Sequence, residues 1–462
     1  MGWARLKLII GVGVCVGCGD SAEAEPLVAD VADIASVGDT ESDTTDVNAP
    51  PARLVIANAV LEGHALYPGQ QQFLYDTWGA ELDGEWPPAE FLLELMEAEP
   101  EVFGNQFASF GFIADPEDDF PVGFKRGSID PEQMHDTCGL CHVAELPDGR
   151  VWLGAPALRL DFERFRVEVD RRWVAAGNPA RVSEQLRSKK LSVGPGRTDV
   201  EPAEYPRLIA ADYPPYFDLD QRRYLNYMGT GGNGRTEAFL SLYVGFGAGF
   251  PTDEEALFPF PTDEYVGPFL EFLGSMRPPS PPPGSFEVAA AERGKAVFDT
   301  AGCGMCHHPE DVSKDEEIPI DANPDGRDRL PGENPAWPNG SIHTSPDHRI
   351  RIDGDGEGGG QTDPGVELVL FIINQGLEVR VTEGYRVAPL GALWATAPYL
   401  HNGSVPTIAD LLRPSTERPK TFERHGFQVD TTASGNSNQG HEFGTALSET
   451  EKTDLQAYLL SL

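Results

Sequence analysis

Cys138-Gly139-Leu140-Cys141-His142 and Cys303-Gly304-Met305-Cys306-His307 are two copies of C-x-x-C-H. Thiols three residues apart on one helical turn can each form a thioether to a haem vinyl group, which leaves the following histidine beneath the iron as proximal ligand. Zinc would need four N/S ligands in each closed site. His135 upstream of the first motif and His308 beside the second are the only extra ligand types nearby. A disulfide or redox reading of each C-x-x-C does not explain why His follows both times. Once these motifs take four of the six cysteines, only Cys15 and Cys18 remain, so no disulfide framework is left. Two covalently bound c-type haems are therefore expected, on Cys138 and Cys141 with His142, and on Cys303 and Cys306 with His307.

Histidine usage separates the two irons. After His142 the next histidine is His307, and the methionines between the motifs, Met228 and Met276, suit core or linker positions. The first iron is expected to be five-coordinate or weakly capped, with His64 or His135 as the upstream alternatives. The second motif is followed by His308, His343, His348, His401, His425 and His441. Met305 lies inside its attachment loop and cannot be the sixth ligand, and His308, His343 and His348 are most simply surface residues.

Several elements must position these groups. The opening MGWARLKLIIGVGVCVGCGD has a basic start, a short apolar run and Val16-Gly17-Cys18. It is too short to span a bilayer and reads as an export signal over 1–18, resembling a lipoprotein site with Cys18 lipidated, or else an ordinary signal peptide cut a few residues later. Residues 19–51 are acidic, with no Lys, Arg or aromatic residue, and are expected to form a disordered tether. The body divides near the polyproline run RPPSPPPG at 277–284, giving an N-terminal domain at 52–279 and a C-terminal domain at 280–462. Helices are expected over the start of 88–113, at 160–175, around 236–245, through VAAAERGKAVF and at the C-terminus, with a long loop region at 194–235. A formal charge of −39 argues against nucleic acid and suits a basic partner such as a small cytochrome, or simple adaptation to an exposed or salty setting.

GALWATAPYLHNGSVPTIADLL (391–412) and GNSNQGHEFGTALSETEK (435–452), with ASFGFIADPEDDFPVGFKRG (108–127) and SVGPGRTD (192–199), resemble the bacterial di-haem cytochrome c peroxidases, in the branch that contains the rubber oxygenase. The resemblance implies a mainly α fold of two cytochrome c-like domains with long loops and one haem each, and reduction of hydrogen peroxide or activation of dioxygen. Where members often carry a Trp between the haems, this chain reads PPYFDLDQRRYLNYMG, with Tyr216, Phe217 and Tyr224. No displaceable His follows the first motif.

In cytochrome c-like domains the sixth ligand comes from a loop just before the last helix. This favours His441 on the second iron, with His401 the competitor. Arg197 could pair with a propionate, polarise bound oxygen, or simply be structural in a Gly-rich turn. Glu201, Glu204, Asp212 and Glu237 are candidates for proton handling, with His142, Arg197 and Glu201 forming the expected catalytic set. The loop RIDGDGEGGGQTDPG (351–365) offers Asp353, Asp355, Glu357 and Asp363 to calcium, or is a solvated acidic loop. The reading is an exported, periplasmic or outer-membrane-attached oxidoreductase, touching the membrane only through its lipid and drawing electrons from a small cytochrome or cupredoxin. A non-catalytic electron-transfer protein and a dioxygen-using oxygenase are the alternatives.

Overall fold

The computed structural model describes residues 56–57, 70, 73–74, 86–127, 131–199, 210–222, 224–225, 231–232, 263–311, 387–433 and 435–462. The chain separates into two units, Met1–Pro51 and Ala52–Leu462, and all described residues belong to the second. The export signal, the tether, the 351–365 loop, the helix around 236–245, and Glu201, Glu204 and Glu237 lie outside the described residues. Among the described residues no helix is long and apolar enough to cross a membrane.

The expected helix near 88 is α1, Ala89–Ala98, which buries Ala89, Leu92 and Leu95 along one face. Its neighbours form an aromatic core in which Phe107, Phe112, Phe124 and Phe165 pack with ring centres 4.7 to 6.1 Å apart. The first haem motif is a single helical turn, α2 (Cys138–His142), whose start is fixed by Thr137 accepting from the Gly139 amide. Thr137 also donates its hydroxyl to the Leu74 carbonyl at 3.2 Å. The helix expected at 160–175 is α3, Phe162–Ala175, capped by Asp161.

Within the expected loop region at 194–235, the described residues include paired strands. Arg197–Asp199 pairs antiparallel with Ala210–Asp212, placing Arg197 opposite Asp212. Arg-Thr-Asp and Ala-Ala-Asp carry no alternation of apolar and polar residues, so the usual strand signal is missing. Arg197 begins a strand directly after Gly196 and is fully buried.

In the C-terminal region α4 (Val288–Thr300) crosses α5 (Glu449–Ser461). Gly294 makes this contact possible, because a Cβ there would run into the Asp454 backbone. Phe298 and Tyr458 meet edge to face at 5.4 Å, and Arg293 Nη2 bonds Asp454 Oδ1 at 2.7 Å. Ser448 and Glu451 close a reciprocal capping box at the start of α5. The first half of the proline run is tied down by side chains from both sides of it in sequence. Trp152 Nε1 donates to the Arg277 carbonyl, Trp394 Nε1 to that of Pro279, and Arg150 Nη2 to that of Ser280.

Candidate haem-binding sites

Each attachment motif ends on an imidazole that its surroundings keep neutral. Burial pushes His142 down to about 3 and His307 to about 4, the latter despite the Ala388 carbonyl that favours the charged ring. A neutral ring is the state that binds a metal. His307 is held by a hydrogen bond from Nδ1 to the Ala388 carbonyl at 3.1 Å. That bond leaves Nε2 for iron, the arrangement in which a partner on the second nitrogen sets the ring's orientation. His142 is oriented differently. It stacks on Tyr216 with ring centres 3.5 Å apart and planes 17° from parallel. The Pro214 carbonyl lies beside it but outside hydrogen-bond geometry to Nδ1. None of the four motif cysteines forms a disulfide, and burial raises the Cys138 thiol to about 12 and that of Cys141 further. Cys138 and Cys141 are poor reducing or nucleophilic groups in this state and suit a role as covalent tethers.

The second motif folds as a tight 3-10 turn, Cys303–Met305, where α2 is an α-helical turn. Across from it stands His441, its ring centre 6.4 Å from that of His307. Two imidazoles on one iron, with metal–nitrogen bonds of about 2 Å and roughly another 1 Å from each nitrogen to its ring centre, need about 6 Å. The His307 and His441 rings could therefore share one iron. Burial and the neighbouring His307 lower His441 to about 4. His401 is buried in another setting, where its carbonyl accepts the Asp212 amide at 2.7 Å.

His441 occupies a conformation that side-chain-bearing residues avoid, with φ +50°. Arg418 holds it there. This arginine is buried and spends all five N–H groups on main-chain carbonyls: Nε on Arg413, Nη1 on Asn438 and Gly440, and Nη2 on Leu411 and His441. Nothing in the polar stretch Ser-Thr-Glu-Arg-Pro-Lys marks Arg418 as a core residue, and sequence reasoning missed it.

Arg197 and Asp212 come together with Arg424, Asn402 and Asn436, which lie more than two hundred positions further along the chain in pairs such as Arg424 and Asp212. Arg197 Nη1 bonds Asn436 Oδ1 at 3.0 Å, whereas its Nε and Nη2 are buried with no acceptor among the described residues. Buried guanidinium groups that lack acceptors fit a site for carboxylates such as haem propionates. Between the two motifs, Phe217 packs with Ala392, Ala395, Trp152 and Trp394. Tyr216 and Phe217 thus lead from His142 towards the segment whose Ala388 carbonyl holds His307. Trp394 was not foreseen as part of this region.

A family model described as RoxA-like, cytochrome c-like matches residues 384–423. Two uncharacterized proteins of Sinorhizobium fredii are similar to the chain. Protein y4iJ is 45% identical over 105 residues, 17% of this chain and 18% of that one, and y4iM is 31% identical over 188 residues, 37% and 38% respectively. The chain thus spans well under half the length of either relative. Among solved structures, a MauG-like protein associated with microbial copper homeostasis covers 65% of this chain and 86% of its own at 16% identity, with a TM-score of 0.30. Hydrazine synthase of Kuenenia stuttgartiensis covers 61% and 88% at 12% identity, with a TM-score of 0.29. Superpositions this loose carry no argument about the fold. The match at 384–423, on a chain with two haem-attachment motifs, supports covalent haem in a cytochrome c-like oxidoreductase.

Proposed function

We propose that the chain is a di-haem c-type oxidoreductase that reduces hydrogen peroxide at the His142 site with electrons delivered through the His307–His441 site. The observation that carries this reading is the asymmetry of the two motifs. His307 faces a second imidazole at 6.4 Å, whereas His142 is backed by the ring of Tyr216. A saturated iron suits electron relay, and an open one suits a small oxidant. Bound haem would supply the one-electron chemistry, and two electrons with two protons convert one peroxide to two waters.

The protein's own groups do the rest. Cys138, Cys141, Cys303 and Cys306 hold the haems. His142, His307 and His441 orient the irons. Tyr216 on the His142 ring, and the next residue Phe217 packed with Ala392, Ala395 and Trp394, offer a packed route between the sites. Arg197, with Glu201 in the adjoining segment, is the proposed partner for a propionate or the oxidant. Domains at 52–279 and 280–462, each with one haem, and export with Cys18 as lipid attachment point belong to the same proposal. The charge of −39 supports a basic donor such as a small cytochrome. The resemblance to the branch that contains the rubber oxygenase keeps dioxygen as the alternative oxidant.

Optical and EPR spectra of the purified protein, as isolated and half-reduced, test the reading. One high-spin haem that responds to cyanide and peroxide, beside one unresponsive low-spin haem, is expected. Two low-spin haems inert to peroxide in every redox state would leave only electron transfer. Dioxygen consumption with an unsaturated polymer but no peroxide turnover would favour the oxygenase.

A further inference from the structure

Two buried arginines meet between the regions that carry the two motifs. Arg197 is fully buried and Arg424 is 3% exposed. Arg424 Nη2 donates to Asp212 Oδ1 at 2.6 Å, and its Nε and Nη1 find no acceptor among the described residues. Arg197 bonds the Asn436 side chain and the Asn402 carbonyl through Nη1 alone, leaving Nε and Nη2 in the same condition. Two guanidinium groups therefore share a single hydrogen-bonded carboxylate. Burying such donors without acceptors is costly, the more so for charged groups. Burial, and then the charge of Arg424, push Arg197 down to about 9.

The space around the pair is built for it. Gly196 and Gly403 adopt φ +72° and +58°, and a Cβ at either would strike the Arg424 guanidinium. The cluster is also adjoined in sequence by the two segments that meet the motif histidines. Asp212 precedes the Tyr216 ring that stacks on His142, and Asn436 precedes His441 on the other side.

We propose that Arg197 and Arg424 form a carboxylate clamp that receives a haem propionate, one anion fitting the one bonded carboxylate the pair lacks. This inference rests on the di-haem reading above. A planar, forked guanidinium matches a carboxylate through paired N–H bonds, which a lysine could not reproduce. Because Arg197 and Asp212 come from one motif-bearing region and Arg424, Asn402 and Asn436 from the other, the propionate would tie both regions to the same cofactor.

The test uses the haem-loaded protein and two substitutions of opposite sign. Denatured mass is measured first, and a wild type without two haems would sink the di-haem reading itself. Given two haems, Arg424→Gln should shift the propionate bending band of one haem in the resonance Raman spectrum. It should also favour the ferric form of that haem by roughly tenfold at fixed applied potential, as expected from losing one charge nearby. Asp212→Asn removes a negative charge and should favour the ferrous form of the same haem. Through-space charge alone would give opposite redox signs without moving the propionate band, so the band decides: redox shifts with an unmoved band would overturn the propionate clamp, and Asp212→Asn is read for the same band if Arg424→Gln does not fold. Sodium acetate is then titrated into the wild type. Unchanged Raman bands together with an acetate-saturable rise in melting temperature would assign the clamp to a free carboxylate and overturn the propionate proposal. Unchanged bands, unchanged redox ratios and no acetate effect would overturn the clamp altogether.

Discussion

Arg418→Gln is the sharpest probe of the second site. Arginine there satisfies five main-chain carbonyls, and glutamine has only two N–H groups to offer. At least three carbonyls lose their donor. With roughly 1–3 kcal/mol for each buried group left unmade, and partial relief as water enters, a loss of about 3–5 kcal/mol is expected. The left-handed φ of +50° at His441 adds a cost of order 1–3 kcal/mol that the arginine no longer opposes. Relaxation of the 438–441 loop should therefore compete with the proposed bond between His441 and the second iron. The assay is the optical and EPR spectrum of the folded, two-haem variant. A substantial high-spin fraction should appear at the second haem alone, and added free imidazole should return it to low spin. A folded variant whose second haem stays entirely low-spin, with an unchanged potential, would refute the argument that Arg418 positions His441.

Three further outcomes follow from the same contacts. His441→Ala should turn the second haem high-spin and slow electron delivery while leaving cyanide binding at the first; if His401→Ala does this instead, the ligand is His401. Gly294→Ala should lower stability by about 1–3 kcal/mol in denaturant melts, because its Cβ meets the Asp454 backbone, and an unchanged midpoint would show that the crossing is looser than described. Arg293 holds Asp454 below the usual carboxylate range. The pair therefore stabilises the crossing at neutral pH and loses its contribution as acid protonates Asp454. Asp454→Asn should flatten that acid limb of the stability curve, and an acid limb identical to wild type would show that the pair contributes nothing there.

What was readable in the chain was local. The C-x-x-C-H motifs, the α-helical apolar spacing of Leu92 and Leu95, and Ser448 with Glu451 at the start of the last helix each act within a few residues, so their meaning survives without the fold. His441 was singled out by its place before that helix. Arg418 and Arg424 were invisible because their partners are carbonyls and a carboxylate that only tertiary structure brings near. In sequence they resemble ordinary surface charges. The strand at Arg197 was missed for a related reason: its pairing with Asp212 depends on a buried ionic cluster and carries no apolar alternation.

The proline run at 277–284 looks like the natural place to cut the chain into separate single-haem fragments. The carbonyls of Arg277, Pro279 and Ser280 are occupied, however, by the indoles of Trp152 and Trp394 and by the Arg150 guanidinium, which itself lies over both indole rings at 5.0 and 5.7 Å. Severing the chain there would strip each fragment of hydrogen-bond acceptors and ring contacts supplied by the other. Halves expressed separately would then report on the damage as much as on their haems. Dissection by ligand substitution within the intact chain is the sounder route to each centre's properties.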